Sequence, residues 1–460
     1  MENTFISKKN ISNHTNGGTV LIAATLLALL VVNLPFLHDF YNGLWTHNIA
    51  LQVGSFNLFS HHGHPMSIMA FINDGLMAVF FFSVGLEIKR EVLEGELSSF
   101  RQALLPIVAA IGGMLVPVAI FMLLAAGSSF VKGAAIPMAT DIAFSLGVLA
   151  MLGKRVPLGL KIFLTTLAVV DDIGGILVIA IFYTSEIGFT SLLCAVGLLI
   201  ILLLGGKFGI QFKTFYVTIG IIVWFLFLQS GIHPTIAGVL VAFCVPAKPV
   251  YAPDKYIRII KKNIGYFSKS DEDKLDKRGI LSKDQTNLLK EIESASDKVI
   301  SPLQDLEDSL HPVVNYIIVP VFAFANAGIW LGDVHFAEIF HGISIAIIAG
   351  LVLGKFLGIF LFSWACVKLK LAPMPEGTGW PQLAAVSVLG GIGFTVSLFI
   401  ANLTFDTGDP YLSQVLNNAK LGILVGSFLA GFLGWLFLHL TLPKHPGPIE
   451  DSTETNTPSD

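Results

Sequence analysis

Long apolar runs, separated by short polar segments, repeat along this chain from residue 17 to residue 442. They fall at roughly 17–37, 67–88, 103–125, 134–153, 158–183, 189–205, 213–228, 232–246, 312–331, 341–367, 381–403 and 417–442. A helix rising about 1.5 Å per residue needs about 20 apolar residues to cross a hydrocarbon core of about 30 Å. The pattern therefore predicts an all-α polytopic membrane protein with twelve transmembrane helices. Two runs carry internal breaks. The fourth contains Pro137 and Thr140, and the eleventh contains Gly390-Gly391-Ile392-Gly393-Phe394-Thr395. Such residues interrupt the backbone ladder of a helix. Interrupted spans in both halves of a chain point to a transport site between inverted-topology repeats.

The polar segments differ in character. In the outer segment 38–66, Leu51-Gln52-Val53-Gly54-Ser55-Phe56-Asn57-Leu58 alternates apolar and polar residues about Gly-Ser. That suits a small β-hairpin with a two-residue turn. A lone hairpin is marginal, so pairing with a second copy in a homodimer is one expectation and a plain loop is the other. His61, His62 and His64 fit a solvated outer loop better than a metal site. The segment 247–311 is the one sizeable polar insertion. Leu281, Leu288, Ile292, Ala295, Val299, Leu303, Leu306 and Leu310 recur at helical spacing, and Ser282 with Gln285 forms a capping box. One or two amphipathic helices, bent near Pro302, are expected on the cytoplasmic surface, as a regulatory element or a passive linker. From Pro253 to His311 the charges nearly cancel, which argues against a polybasic lipid-binding tract.

Composition agrees with this reading. The chain is 54% hydrophobic and 13% charged, with mean hydropathy +0.75. That charge fraction is about half that of a soluble domain. Orientation comes from the lysines and arginines, which favour the cytoplasmic side. With the N-terminus inside, nearly all lie in cytoplasmic segments. Lys132 and Lys420 fall outside, and Lys355 lies within a span. The organisation that follows is a cytoplasmic segment 1–16, helices one to eight over 17–246, the cytoplasmic insertion 247–311, helices nine to twelve over 312–442, and a disordered cytoplasmic tail 443–460. No basic patch with interleaved aromatics suggests nucleic acid. The polar N-terminus leads into a full-length span and does not resemble a cleaved signal peptide. Cys194, Cys244 and Cys366 show no ligand spacing and read as buried thiols without a disulfide or metal role.

Five ionisable residues lie well inside spans: Asp74, Asp141, Asp171, Asp172 and Lys355. Charge at the bilayer centre costs about 2.5–3.5 kcal/mol per group on insertion scales, so each is a functional candidate. Four carboxylates face one ammonium, and protons or bound cations must supply the balance. Asp171 and Asp172 sit near the middle of the fifth run. Holding two buried negative charges side by side is costly, so a proton or a sodium ion must share the pair, each excluding the other. Competition for one site is the simplest basis for exchange. Lys355 is too deep to snorkel and needs Asp171 or Asp172 as its partner. Asp141 can offset facing half-helix N-termini, and Lys355 facing C-termini. Asp74 lines an access path or serves as a hydrogen-bonded structural carboxylate. His233 is either a pH-responsive group or a satisfied structural histidine. Glu87, Lys89, Arg90 and Glu91 alternate in sign at the inner end of the second span, which marks either a solvated helix end or, if Glu307 and His311 approach it, a cluster that senses cytoplasmic pH.

These stretches resemble the NhaA family of bacterial sodium–proton antiporters. The likeness rests on Asn73 to Glu91, Ala139-Thr140-Asp141-Ile142-Ala143-Phe144, Val170-Asp171-Asp172, Gly231 to Gly238, Phe322 to Gly328, Gly354-Lys355 and Gly390 to Ser397. It implies an electrogenic inner-membrane exchanger of Na⁺ or Li⁺ for H⁺, activated at alkaline pH, without a cofactor. It implies that Asp171 and Asp172 form the cation and proton site with Thr140 nearby. It also implies that Asp141 and Lys355 compensate crossed half-helices, that Glu87, Arg90, Glu91 and Glu307 belong to a pH-response region, and that the outer hairpin makes a homodimer. The enlarged loop before Glu307, with Gln304, Asp305 and Asp308 in place of basic residues, departs from the family. A sodium-coupled symporter of a small organic anion is the alternative. An intramembrane aspartyl protease, the enzyme class to consider, needs facing carboxylates on two helices, whereas Asp171 and Asp172 are neighbours on one.

Overall fold

A computed structural model of the chain describes residues 17–50, 52–53, 56–57, 60–61, 64–184, 187–249, 253–270, 283–332, 340–405 and 409–443. The N-terminal segment, the tail beyond 443, Gly54-Ser55, His62 and Ser282 lie outside them, and with them the Ser282 capping box. The helices are α1 (Gly17–Asn33), α2 (Pro35–Thr46), α3 (Met77–Leu93), α4 (Phe100–Leu124), α5 (Ile142–Met151), α6 (Leu158–Phe182), α7 (Phe189–Lys207), α8 (Lys213–Ser230) and α9 (Thr235–Cys244). They continue as α10 (Pro253–Ser270), α11 (Lys283–Val299), α12 (Pro302–Val313), α13 (Val319–Asn326), α14 (Gly342–Ala349), α15 (Lys355–Lys368), α16 (Trp380–Leu389), α17 (Phe394–Phe405) and α18 (Pro410–Thr441).

Among the described residues, nine helical stretches are long and apolar enough to cross a membrane, or up to eleven when two bent pairs are included. The eighth predicted run yields only the short helix α9. Many exposed side chains are Leu, Ile and Phe, among them Leu123, Phe189, Leu193 and Leu440. Lipid tails are as apolar as leucine, so these surfaces need no protein cover.

Two runs depart from their expected form. The first bends by 114° between α1 and α2, where Pro35 cannot donate to the helical ladder and pushes Leu34 out of the α region. The ninth begins at Pro302 and not near residue 312. Ser301 and Gln304 form a capping box there, and Pro302 occupies the first turn. Pro302 therefore starts the helix that was expected to bend at it. A π-turn, Val314–Ile318, joins α12 to α13 within one 25-residue candidate span.

Among the described residues, residues 48–67 hold five short strands. β2 (Gln52–Val53) pairs antiparallel with β3 (Phe56–Asn57), Val53 facing Phe56, which is the register a two-residue loop requires. β5 (His64–Ser67) pairs with both β1 (Asn48–Ile49) and β4 (Ser60–His61). Cys194, expected to be buried, is exposed on α7, while Cys244 and Cys366 are buried; all three are free thiols.

The chain forms two compact units. The first comprises residues 1–45, 96–181 and 319–460. In it α4 and α15 approach closely along a small-residue stripe. A Cβ on Gly354 would meet the Pro117 backbone at 2.6 Å, and one on Gly113 would meet Ile359 at 2.9 Å. In membranes such close contact replaces the hydrophobic drive as the source of helix association. The second unit comprises 46–95 and 182–318. There Gly85 of α3 lies against α9, where a Cβ would stand 2.8 Å from Ala242. Its core gathers Leu86, Leu202, Tyr216, Val223, Phe227, Val241, Leu303 and Leu306.

Candidate functional site

In the first unit both interrupted spans break where the sequence places their helix-breaking residues. A 3₁₀ turn, Val131–Met138, gives way to extended backbone at Ala139 and Asp141 before α5 begins. α16 ends at Leu389 and α17 starts at Phe394. The two breaks face each other. Asp141 N donates to Ile392 O (2.6 Å), Ser397 Oγ to Ile136 O (2.7 Å) and Ser145 Oγ to Leu389 O (3.4 Å). Backbone groups freed by breaking a helix in an apolar medium are costly unless re-paired, and each break supplies partners for the other.

Asp141 caps both half-helix N-termini. Its Oδ1 accepts from Phe144 N at 3.0 Å in the first turn of α5. Its Oδ2 accepts from Thr395 N (3.1 Å) and Thr395 Oγ1 (2.6 Å) in the first turn of α17. A carboxylate at a helix N-terminus meets orphan N–H groups and the positive end of the dipole, and here one serves two helices.

Lys355 is fully buried. It directly follows a π-turn, Gly350–Gly354, an insertion that re-aims a side chain and is frequent at functional sites. Its Nζ donates to Asp171 Oδ2, forming an ion pair with neither side chain exposed, and to Thr140 Oγ1 at 2.9 Å. Of the two partners left open by the sequence, Lys355 takes Asp171. Thr140 Oγ1 lies 2.6 Å from Asp171 Oδ2 and 2.8 Å from Gly390 O, and its single proton serves one of them at a time. Thr140 thus links the ion pair to the C-terminal end of α16. The other Asp171 oxygen, Oδ1, is buried and makes no hydrogen bond among the described residues. Asp172, 4% exposed, follows on α6 and acts electrostatically on Lys355.

If all were ionised, Asp141, Asp171 and Asp172 would stand against one ammonium. The two capped N-termini offset part of the charge on Asp141. Three carboxylates against one ammonium leave two negative charges, which protons or a small cation must balance. Among the described residues no group of three or more His, Cys, Asp or Glu could hold a metal ion.

The second unit holds the remaining predicted residues. Asp74 sits in a π-turn, Phe71–Leu76, 3.6 Å from His233 Nε2. His233 Nδ1 lies 2.8 Å from Thr235 Oγ1, and Asp74 O accepts from Trp224 Nε1 at 3.1 Å. At the end of α3, Arg90 pairs with Glu307 (2.8 Å) and Glu91 (3.1 Å). Glu87 interacts electrostatically with all three. His311 lies 3.0 Å from the Asn315 side chain one turn on, and among the described residues it makes no ion pair with Glu87, Glu91 or Glu307.

Two residues that sequence reasoning passed over matter here. Thr395 supplies both donors from α17 to Asp141. Its signal was its place as the first polar side chain after the glycine break. Lys89 donates to Phe243 O at 2.7 Å and to Val245 O, capping the C-terminus of α9 with a cation. Within an alternating charge run it looked like one more solvated side chain.

A mostly helical multi-pass membrane protein, with a dry carboxylate–ammonium cluster where two helices break, is built for moving ions. Comparison with known proteins narrows the class. Residues 8–438 match the family model described as Na+/H+ antiporter 1. The chain is 56% identical to the Na(+)/H(+) antiporter NhaA of Phocaeicola vulgatus, over 94% of this chain and 95% of that protein. It is 52% identical to that of Bacteroides fragilis over 95% and 98% of the two chains, and 47% identical to that of Porphyromonas gingivalis over 96% and 98%. The chain belongs to the Na+/H+ antiporter 1 family.

Proposed function

We propose that this protein exchanges cytoplasmic Na⁺ or Li⁺ for external H⁺ across the bacterial inner membrane, with Asp171 and Asp172 carrying the competing ions. The observation that carries the site is the Asp171 carboxylate. One oxygen is held by Lys355 and Thr140, and the other is buried without a hydrogen bond among the described residues. A buried oxygen of that kind costs free energy until a proton or cation satisfies it. Asp172 lies next in sequence and supplies a second carboxylate. The pair accepts two protons or one alkali cation between them, so a complete cycle moves net charge and exchange is electrogenic. Asp141 and Lys355 hold the broken helices at compensated charge, so that changing occupancy at the aspartates does not leave half-helix dipoles unopposed.

The wider reading has twelve spans arranged as inverted repeats, with both termini and the insertion 247–311 on the cytoplasmic side. Asp74 and His233 border an access path. Glu87, Arg90, Glu91 and Glu307 set the pH response, and the outer hairpin near Leu51–Leu58 joins two copies. The transported ions are the substrates, and no other cofactor takes part.

The test is Na⁺-dependent proton movement in everted vesicles. Asp172→Asn and Asp171→Asn each lower it by at least a hundredfold while the protein still inserts. Normal exchange in either variant overturns the assignment. Movement of an organic anion with Na⁺, without proton release, would favour symport instead.

A further inference from the structure

The polar insertion carries its charge unevenly. Although its signs nearly cancel overall, α10 holds Lys255, Arg258, Lys261, Lys262 and Lys269 against Asp254 alone. α11 holds Lys283, Lys290 and Lys298 against Asp284, Glu291, Glu293 and Asp297. The sum concealed a basic helix followed by a mildly acidic one.

The two helices pack on each other. Tyr256 Oη lies 3.0 Å from Ser296 Oγ, and Asn263, Gln285 and Ala295 are buried. This uses one side of α10. The other side leaves Arg258, Lys261 and Lys262 exposed. Apolar residues edge it: Ile257 is 46% exposed, Ile264 56% and Tyr266 55%. Ile257, Lys261 and Ile264 are spaced by four and then three, so they line one stripe.

We propose that this face of α10 docks on an anionic lipid surface. Basic side chains beside exposed isoleucines on one helix are the makeup of an interfacial element, which adds apolar burial to attraction for negative headgroups. The chain connections keep it near such a surface. Eight residues separate Cys244 of α9 from Pro253, which limits the separation to about 30 Å. At the other end α11 stops at Val299, and the candidate membrane span starts at Pro302. A helix pair tethered at both ends to membrane helices meets the lipid surface at high effective concentration. A second copy of the same face would bring like charges together and repel. The inference rests on the membrane embedding of the flanking helices and not on the exchange chemistry, so the two fail independently.

The test places a nitroxide at Ile264→Cys in the full chain, with the exposed Cys194 replaced by serine. The protein is reconstituted in phosphatidylcholine vesicles with or without about one third phosphatidylglycerol. In the anionic vesicles, collision with oxygen rises severalfold relative to collision with a water-soluble nickel chelate. The rise is lost in pure phosphatidylcholine. In a variant carrying Arg258→Gln, Lys261→Gln and Lys262→Gln the docking equilibrium falls on the order of a hundredfold. Circular dichroism and a monodisperse elution profile check that this variant folds. An unchanged, water-like ratio in both vesicles overturns the proposal. So does a label shielded from both reagents whatever the lipid, since that result means a protein covers the face.

Discussion

The two units each hold an ion pair between residues far apart in sequence, and the pairs sit in opposite environments. Lys355 and Asp171 have no exposed side-chain surface. The side chains of Arg90 and Glu307 are 37% and 17% exposed. Desolvating two charges costs several kcal/mol per ion, and even good geometry barely recovers it, so a buried pair is poor evidence for stability. A half-wet pair gains little and loses little, typically about 0–1 kcal/mol. The dry pair therefore calls for a reason other than folding. Thr140, the two crossed breaks and the open Asp171 oxygen supply one, because all converge on it. The half-buried cluster gathers three carboxylates around one guanidinium at a helix end. Under the proposed function, the first site holds the exchanged ion and the second adjusts to conditions.

The sharpest way to break this contrast is to remove the cation from the dry pair. Lys355→Ala leaves Asp171 buried without its ammonium, and breaking a buried pair by one partner costs about 3–5 kcal/mol. Thermal unfolding of purified protein at neutral pH should show a drop in midpoint of several degrees. Lowering the pH should recover part of it, because a protonated Asp171 needs no counter-charge. The double variant Lys355→Met with Asp171→Asn should unfold near the wild-type temperature. A single variant as stable as wild type would mean that the pair is hydrated and that the contrast is false.

Much of this was legible in the sequence. The apolar runs gave the helices, and the residues that break spans four and eleven gave the interruptions, because Pro137 and the Gly390–Gly393 stretch act locally. The expense of charge in lipid singled out Asp141, Asp171, Asp172 and Lys355. What stayed hidden depends on three-dimensional approach. The choice of Asp171 over Asp172 is set by how α15 rotates after its π-turn, which no local pattern encodes. The start of the ninth span was missed because Ser282 with Gln285 and Ser301 with Gln304 both look like helix starts. Lys89 was missed because a C-terminal cap on another helix cannot be seen along its own. The charge segregation in the insertion was readable but was lost in a net sum.

A smaller effect sharpens the contrast within the dry unit. Thr395→Val removes one hydroxyl donor from Asp141 while leaving the Thr395 N–H in place. Hydrogen bonds to charged groups contribute about 1.5–3 kcal/mol. The expected outcome is a modest fall in the unfolding midpoint and a fall in exchange rate of roughly tenfold. Thr395→Ser should restore both. A loss of rate with no rescue by serine would point to the methyl group, and hence to packing between α17 and the break, as what matters at this position.

The smallest effect on stability belongs to the wet pair. Arg90→Ala removes a guanidinium whose side chain is more than a third exposed, so its unfolding free energy should stay within about 1 kcal/mol of wild type. Its consequence should instead appear in the pH profile. Arg90 is the guanidinium that pairs with Glu91 and Glu307 and interacts electrostatically with Glu87. Without it three carboxylates crowd one helix end, and each disfavours ionisation of the others. More alkaline conditions are then needed to reach the same charge state. The pH at half-maximal exchange should move upward, with the maximal rate within about twofold of wild type. An unchanged profile would leave the cluster as a structural tie between α3 and α12. A collapse of the maximal rate would mean that this wet pair, like the dry one, is tied to the transport step itself.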